Sequence, residues 1–441
     1  MTKTHFSFSA LRRGLILAGA LALPSFAQSA SSNKILGGFF EEWSIYYANY
    51  NVANLQQNGV ASRLTHFFYA FSNVSTAPGC AIADSWADYQ DPNLPSVSGA
   101  PYTGPLYGNF AAIQQLEKLH PNLKTLISIG GASATNAANF STAASTAAGR
   151  RALVSSCINM FIEGNIAPGI AAPGLFDGIH IDWEFPTATD TVNFTALLQE
   201  FRKQLNQLSS TTGKKYYLSF FGPAGQPDIA NIDLAQAAQP VDFITVQGYD
   251  FNGPWESIAN EAASLYDDKQ DPEYGHYLDD NDTVNTYLKA GVPAAKYTLG
   301  VPLYGDGWTG VPNVNHGLYQ TSTAPAPVPL ASGAGLCPDL SGNTPGCDPL
   351  LTPGLAAYST LVNLPANGYT QYYDSQRVAA WLYNSSSGTF YSFDDPQTVT
   401  AKMHYVLSKG AGDLGGAFVW ALKDDDAKGT LVKTMATGLG R

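Results

Sequence analysis

Charged residues are scarce in this chain, and basic residues are scarcer than acidic ones. Only 13% of the 441 residues are charged, and 23 Lys and Arg stand against 35 Asp and Glu, which gives a net charge of -12. The pI is accordingly near 4.9. Nucleic acids and anionic membranes attract proteins with the opposite balance of charge. Neither is therefore expected as a partner of this protein.

Long apolar runs are missing after the first 30 residues. Within those residues, Lys3, Arg12 and Arg13 precede an apolar run at 15–23 and a stretch of small residues. This order is typical of a signal peptide, and the run is too short to span a bilayer. We therefore predict a signal peptide over residues 1–30 and a secreted or periplasmic protein without a membrane span.

Cysteine is rare, with four residues in the chain. In an oxidising compartment they allow up to two disulfides and three pairings. Cys337 and Cys347 bracket a short Gly/Pro-rich loop, which favours that pair, and Cys80 with Cys157 then follows only by elimination. The pairing stays open at this point. None of the four has His or Cys neighbours at metal-ligand spacing, so neither a metal nor another cofactor is expected.

Apolar and aromatic residues, by contrast, are plentiful and are concentrated in eight short runs. The runs begin at Ile35, Leu64, Thr125, Gly178, Tyr216, Val241, Tyr297 and Leu414. Stretches with helical character lie between them, and Asp395 followed by Pro396 is a typical start for the last of these helices. Eight strands that alternate with helices predict an α/β fold, the (β/α)8 TIM barrel.

The chain between the seventh and eighth predicted strands is far longer than one helix needs. It holds a Pro/Ala/Gly/Ser-rich stretch and then a Tyr-rich part with strand-like runs of its own. Long loops without secondary structure are uncommon in compact domains. We therefore predict a small α+β insertion subdomain at 309–391, between barrel segments 31–308 and 392–441.

The fourth run carries carboxylates where a buried strand should be apolar. In FDGIHIDWEFP, which spans 176–186, side chains alternate between faces, so that His180, Asp182 and Glu184 share one face. A buried carboxylate without a partner is costly, which predicts that this row lines a cavity. Two neighbouring carboxylates also push their pKa values apart, as acid–base catalysis requires. An edge strand with one solvated face is the structural alternative.

Several of these runs together resemble glycoside hydrolase family 18, the chitinases and their relatives. FDGIHIDWEFP is similar to the DGxDxDxE signature of that family. Five other runs resemble its first, third, sixth, seventh and eighth strands, namely GGFFEEWSIY, SIGG, QGYDFNGPW, LGVPLYGDGW and GGAFVWAL. The resemblance covers nearly the whole mature chain. It implies a bacterial, secreted enzyme in which the insertion subdomain deepens the cleft.

The resemblance also implies a retaining, substrate-assisted hydrolysis of β-1,4-linked N-acetylglucosamine polymers, in which the acetamide of the sugar is the nucleophile. Glu184 would be the general acid and later the base. Asp182 would orient the acetamide and stabilise the positive charge of the intermediate. Tyr249 would hydrogen-bond the acetamide carbonyl, and Asp250 would help to fix the same sugar. Chitin or its oligosaccharides would be the partner, and a monomer is expected.

Three aromatic residues in the matched runs, and Phe71 in the second apolar run, resemble residues that line the sugar cleft, because the C–H faces of sugars stack on aromatic rings. Trp420 resembles the floor of the subsite that holds the distorted sugar. Trp255 resembles a platform on the aglycone side and Trp43 one on the glycone side, while Phe71 would wall the central subsite. Core packing is the alternative for each of them.

Four positions depart from the family pattern. His180 stands where the family has the middle Asp of its triad, and it could be charged and lower the pKa of Asp182, or neutral and fill the barrel floor. Gln247 replaces the usual Met and could reach the sugar or simply be hydrogen-bonded in the barrel. Asp306 replaces a frequent Arg. Ala132 stands where many processive members have Trp, which leaves processive action unsupported.

Two other functions are compatible with this signature. An endo-β-N-acetylglucosaminidase that cuts N-glycans shares it, although the insertion and Trp255 favour chitin. A chitin-binding lectin that has lost catalysis is the other alternative. Such relatives typically lack the acid, whereas Glu184, Asp182, Tyr249 and Asp250 are all present here.

Overall fold

The computed structural model describes residues 1–2, 33–327, 352–408 and 413–441. The predicted signal peptide falls almost wholly on 3–32, and Cys337 and Cys347 fall on 328–351. Both predictions therefore lie outside the described residues.

Strands and short helices alternate through most of the chain. The strands are β1 Ile35–Glu41, β2 His66–Ser75, β3 Gly79–Ile82, β4 Lys124–Gly131, β5 Gly178–Trp183, β6 Tyr217–Gly222, β7 Phe243–Val246, β8 Tyr297–Pro302, β9 Tyr304–Thr309, β10 Ala324–Pro325, β11 Leu355–Ala357, β12 Thr370–Asp374, β13 Ala379–Asn384, β14 Thr389–Phe393 and β15 Gly416–Trp420. The helices are α1 Ser44–Tyr47, α2 Val52–Gln57, α3 Gly108–Leu119, α4 Ala134–Ala144, α5 Ala147–Cys157, α6 Thr191–Thr212, α7 Gln226–Ile229, α8 Leu234–Ala237, α9 Asp280–Lys289, α10 Tyr358–Leu361, α11 Pro396–Ser408 and α12 Thr430–Gly438. Across the described ranges, none of the helices has the length and apolar character needed to cross a bilayer.

Eight parallel strands close into a barrel. Their order is β1, β2, β4, β5, β6, β7, β8 and β15, and β15 pairs with β1 again. Each of these strands overlaps one of the eight apolar runs of the sequence. The predicted (β/α)8 barrel is therefore confirmed. Closure brings the carboxyl ends of all eight strands to one rim, where active sites of this fold lie.

An antiparallel sheet forms a second layer between the seventh and eighth barrel strands, β8 and β15. Its order is β10, β9, β14, β13 and β12, with β11 paired to β9. It has an apolar core of its own, which consists of Ala259, Trp308, Val311, Leu318, Trp381, Tyr383 and Phe390. The predicted insertion between these two barrel strands is confirmed. Only Leu303 separates β8 from β9.

The two faces of β5 belong to different apolar layers. Ile179, Ile181 and Trp183 face the shell of helices, where Trp183 stacks on Phe140 with a centroid distance of 5.2 Å. His180, on the other face, meets the aromatic rings that fill the barrel interior. The alternation read from the sequence therefore holds, and it leaves the polar row of β5 inside the barrel.

The start of α11 follows the capping pattern of its sequence. Asp395 Oδ1 accepts hydrogen bonds from the backbone N–H groups of Gln397 and Thr398, both at 2.8 Å. Pro396 occupies the first helical position, where its missing N–H costs nothing. The cap fixes the start of the helix that leads into β15.

One disulfide joins β3 to the end of α5. Cys80 and Cys157 are bonded across a sequence separation of 77 residues. This pair, which the sequence suggested only by elimination, is confirmed. The bond ties the hairpin after β2 to the helical shell of the barrel.

Replacing Cys80 and Cys157 together with serine should lower the free energy of unfolding by about 2–4 kcal/mol, because the unfolded chain gains conformational freedom. Urea unfolding followed by tryptophan fluorescence measures this change. Ser145→Ala, at an exposed helix end, is the control and should change stability by less than about 0.5 kcal/mol. An unfolding midpoint equal to that of the wild type would contradict a stabilising role.

Candidate active site

Asp182 and Glu184 meet at the carboxyl end of β5. Asp182 is 3% exposed, and Glu184, just beyond the strand, is half-buried. A hydrogen bond links the two carboxyls, and burial raises the pKa of Asp182 to about 7. Burial, together with the charges of Asp182 and Asp250, raises the pKa of Glu184 well above its usual value. Glu184 is thus held protonated near neutral pH, the state that a general acid needs.

His180 lies fully buried below this pair, and burial lowers its pKa to about 3. Its Nε2 is 2.8 Å from Thr245 Oγ1, whose hydroxyl donates to the Phe220 carbonyl at 3.2 Å. Because that hydroxyl proton is used, Nε2 must carry the hydrogen and donate to Thr245. The imidazole is therefore neutral, and the alternative of a charged His180 that lowers the pKa of Asp182 does not apply.

Ser128 on β4 connects His180 to Asp182. Its Oγ is 2.9 Å from His180 Nδ1 and 3.4 Å from Asp182 Oδ2. A hydroxyl has one proton, and with Nε2 protonated the shorter contact to Nδ1 takes it. The longer contact of Ser128 with Asp182 lowers the pKa of Asp182, but burial is the larger effect and raises it.

Tyr249 and Asp250 follow β7 and lie on the same rim as Glu184. Burial and the charges of Asp250 and Glu184 raise the pKa of Tyr249 well above its usual value, so its hydroxyl keeps its proton. Asp250 adopts a left-handed backbone conformation with φ of 57°. Tyr304 donates a hydrogen bond of 2.5 Å to Asp250 Oδ1, and burial raises the pKa of Asp250 to about 6. The left-handed turn and this bond together fix the direction of the carboxyl.

Three of the predicted aromatic residues form a continuous wall at the barrel mouth. The ring of Phe71 lies between the rings of Trp43 and Trp420, with centroid distances of 6.0 Å and 5.7 Å respectively. Trp420 also contacts Phe39 in the barrel interior at 5.4 Å. All three wall residues are half-buried, which leaves part of each ring open to a ligand.

Trp255 and Gln247 occupy other places on the same rim. Trp255 is 57% exposed on the loop after β7, well away from core packing. Gln247 is half-buried directly after β7, and its backbone N–H donates to Gly222 O at 3.0 Å. The structure thus brings Glu184, Asp182, Tyr249 and Asp250 together, and it leaves Trp255 exposed on the loop after β7. The roles predicted for these residues stay predictions.

Two glycines at the end of β4 allow this crowding. A Cβ on Gly130 would lie 2.1 Å from the backbone oxygen of Asp182, and one on Gly131 would lie 2.7 Å from the Phe71 ring. Both also have positive φ, of 121° and 84°. Only glycine fits these positions, which explains why the strand ends in Gly-Gly.

Sequence reasoning did not assign roles to three residues that hold the site. Ser128 and Thr245 fix His180, and Tyr304 fixes Asp250. Ser128 and Tyr304 fall in the SIGG and LGVPLYGDGW runs, so a signal for them was present. Thr245 lies in a short buried strand without a comparable signal. Within the described ranges, no three His, Cys, Asp or Glu side chains are grouped so as to hold a metal ion.

A coupled carboxyl pair at the rim of a TIM barrel, flanked by an aromatic wall, is the arrangement of a glycoside hydrolase. Comparison with known families agrees with this class. The chain belongs to glycosyl hydrolases family 18, whose model matches residues 36–425.

Relatives and solved structures extend along most of the chain. It is 33% identical to chitinase A1 of Niallia circulans over 94% of this chain and 60% of that protein. It is 31% identical to endochitinase 1 of Metarhizium robertsii, over 95% of this chain and 90% of the relative. The catalytic domain of psychrophilic chitinase B from Arthrobacter TAD20 superposes with a TM-score of 0.80 at 33% identity, covering 93% and 96% of the two chains. The chain thus spans less than two thirds of the first relative.

Replacing His180 with aspartate should move the alkaline limb of kcat/KM for oligosaccharide hydrolysis to higher pH by about one unit. The new carboxylate would lie beside Ser128 and Asp182. A further negative charge there disfavours ionisation of Asp182 and Glu184, so their pKa values rise. Activity measured from acid to alkaline pH gives the position of the limb.

His180→Asn is the matched control, since asparagine has nearly the shape of aspartate but does not titrate. It should leave the alkaline limb where the wild-type enzyme has it. Identical pH profiles for the two variants would contradict this account of His180.

Proposed function

We propose that this protein is a secreted, monomeric chitinase that hydrolyses β-1,4-linked N-acetylglucosamine chains with retention of configuration. The observation that carries the proposal is the coupled pair in which Glu184 holds a proton beside Asp182. Similarity to a chitinase of Niallia circulans and an endochitinase of Metarhizium robertsii supports chitin as the substrate.

In the first step, Glu184 gives its proton to the glycosidic oxygen as the bond from that oxygen to C1 breaks. The carbonyl oxygen of the sugar's acetamide attacks C1 and forms an oxazolinium ion. In the second step, the Glu184 carboxylate takes a proton from water, whose oxygen attacks C1 and reopens the ring to the acetamide. Two inversions at C1 give net retention, without a covalent bond to the enzyme.

Asp182 and Tyr249 are suited to hold the acetamide during these steps. Asp182 Oδ1 is buried and lacks a hydrogen-bond partner among the described residues, so it is free to accept the acetamide N–H. The Tyr249 hydroxyl keeps its proton and can donate to the acetamide carbonyl. The negative charge of Asp182 also stabilises the developing oxazolinium ion.

The walls of the cleft favour a chain of sugars as the substrate. Trp420, Phe71 and Trp43 offer partly open rings at the barrel mouth, and Trp255 offers an exposed ring on the loop after β7. The insertion sheet stands beside the loop that carries Trp255. Such a groove suits several β-linked sugars bound lengthwise, since each ring can stack on one sugar face.

Incubation with N-acetylglucosamine tetramer and, separately, with a high-mannose glycoprotein tests the proposal. The tetramer should be cleaved and the glycan left intact, and NMR of the first products should show the β-anomer. Glu184→Gln should lower kcat about 100- to 10,000-fold, since the general acid is lost. Glu163→Gln makes the same substitution on the exposed outer surface and should leave kcat unchanged.

Two outcomes would contradict the proposal. Cleavage of the glycoprotein alone would indicate an endo-β-N-acetylglucosaminidase that acts on N-glycans. Binding of the tetramer without hydrolysis of either substrate would indicate a lectin.

Asp182→Asn should keep part of the activity, and the alkaline limb of its kcat/KM profile should lie at lower pH than that of the wild type. The charge of Asp182 raises the pKa of Glu184, so its removal lowers that pKa and the acid loses its proton earlier as pH rises. A pH series on the tetramer measures the shift. A limb that stays in place would show that the two carboxyls do not interact electrostatically.

A further inference from the structure

Asp306 is held against the loop that follows β7. It lies on β9 between Tyr304 and Trp308, and alternation places these three side chains on one face. Tyr304 donates a hydrogen bond to Asp250, and the Trp308 indole N–H donates to the Glu256 carbonyl at 3.1 Å. Asp306 is thereby fixed between the two segments that carry Asp250 and Glu256.

No cation of the described residues is paired with the Asp306 carboxyl. Asp306 is 1% exposed, and its Oδ1 has no hydrogen-bond partner in the part of the chain that the structure describes. Burial raises its pKa well above the usual value, and the charges of Asp250 and Glu256 raise it further. Residues 328–351, which follow β10, contain no Lys or Arg.

A buried carboxyl among other carboxyls, with no cation and no donor to its Oδ1 among the residues that the structure describes, is costly for a protein to keep. A ligand that brings a charged donor would relieve that cost. The carboxyl cluster of Asp306, Asp250 and Glu256 is therefore matched to a cation.

The carboxyl cluster continues the sugar site. The charge of Asp250 acts on Glu184, and the Trp255 indole interacts with the Glu256 carboxyl through a hydrogen bond. A sugar chain that passes Glu184 and stacks on Trp255 would therefore run beside Asp306. A chitin chain acquires a cation in one way, by loss of the acetyl group from its 2-amino nitrogen.

We propose that Asp306, with Asp250 and Glu256, binds the protonated 2-amino group of a glucosamine unit on the aglycone side of the cleaved bond. This inference rests on the proposed function, because substrate assistance requires an acetamide on the unit whose C1 reacts. The free amine must then belong to another unit, which lies on the aglycone side if Trp255 is the platform that the family resemblance implies. Partly deacetylated chitin is the substrate class that this site selects.

Digestion of partly deacetylated chitosan, followed by mass spectrometric sequencing of the products, tests the inference. Wild-type cleavage should give new non-reducing ends enriched in glucosamine relative to the composition of the polymer. Asp306→Asn should remove that enrichment. A second measurement compares kcat/KM for two tetramers, one with a glucosamine unit directly after the cleaved bond and one that is fully acetylated. Asp306→Asn should lower the ratio of the first kcat/KM to the second about tenfold, since a charge-assisted hydrogen bond is lost.

The ratio compares two substrates of one variant, so a general loss of folded protein does not change it. Glu256→Gln should lower the ratio to a smaller extent, because this carboxyl is half-exposed. Glu163→Gln, on the outer surface, is the matched control for the charge and should keep the wild-type ratio.

An Asp306→Asn enzyme with the wild-type enrichment would overturn the inference, as would a wild-type enzyme that cleaves chitin without enrichment. Hydrolysis of neither substrate would overturn the proposed function. The amine site would then be judged by calorimetry, with glucosamine tetramer and N-acetylglucosamine tetramer as the two ligands. Weaker binding of the glucosamine tetramer would overturn the inference independently of catalysis.

Discussion

Four carboxyls stand at the mouth of this barrel, and among the described residues neither lysine nor arginine shifts their pKa values. They are Asp182, Glu184, Asp250 and Asp306. Some acids elsewhere in the fold are paired with a cation, as Asp394 is with the buried Lys402 at 2.6 Å and Asp374 with Arg377 at 2.8 Å. The stability of the surrounding barrel offsets the free-energy cost of burying these unpaired acids. A buried carboxyl that is held neutral can then donate its proton in catalysis. Among the described residues, hydroxyls and aromatic rings rather than cations therefore surround these four carboxyls.

Much of this arrangement could be predicted from the sequence. Alternation along β5 places Asp182 on the inner face and Trp183 in the outer shell, because a strand has a period of two whatever its neighbours are. The eight apolar runs predict eight strands for a similar reason, since each is short, rich in β-branched and aromatic residues and separated by helical stretches. The hydrogen-bond partners of His180 could not be predicted in this way. Ser128 and Thr245 belong to β4 and β7, and only closure of the barrel brings β7 across the interior to β5.

The neutral state of His180 follows from the same closure. The sequence left open whether this imidazole is charged, because its pKa depends on burial and on the groups around it. In the structure it is enclosed by the rings of Phe39 and Phe68, each at 5.3 Å, and its nitrogens meet two hydroxyls. The position therefore carries no charge where the family pattern has an acid. The proton balance of the site thus depends on fewer groups, with Asp182 and Glu184 as the principal pair.

The single residue between β8 and β9 has a consequence for how proteins of this architecture diverge. Tyr304 and Asp306 lie on the first strand of the insertion, yet Tyr304 fixes a carboxyl of the barrel rim. The insertion therefore cannot be exchanged for that of another protein without a change in the catalytic centre. A transplanted insertion would bring its own residues at 304 and 306 to the rim. Recombination at this boundary would alter substrate choice and cleft depth in one event.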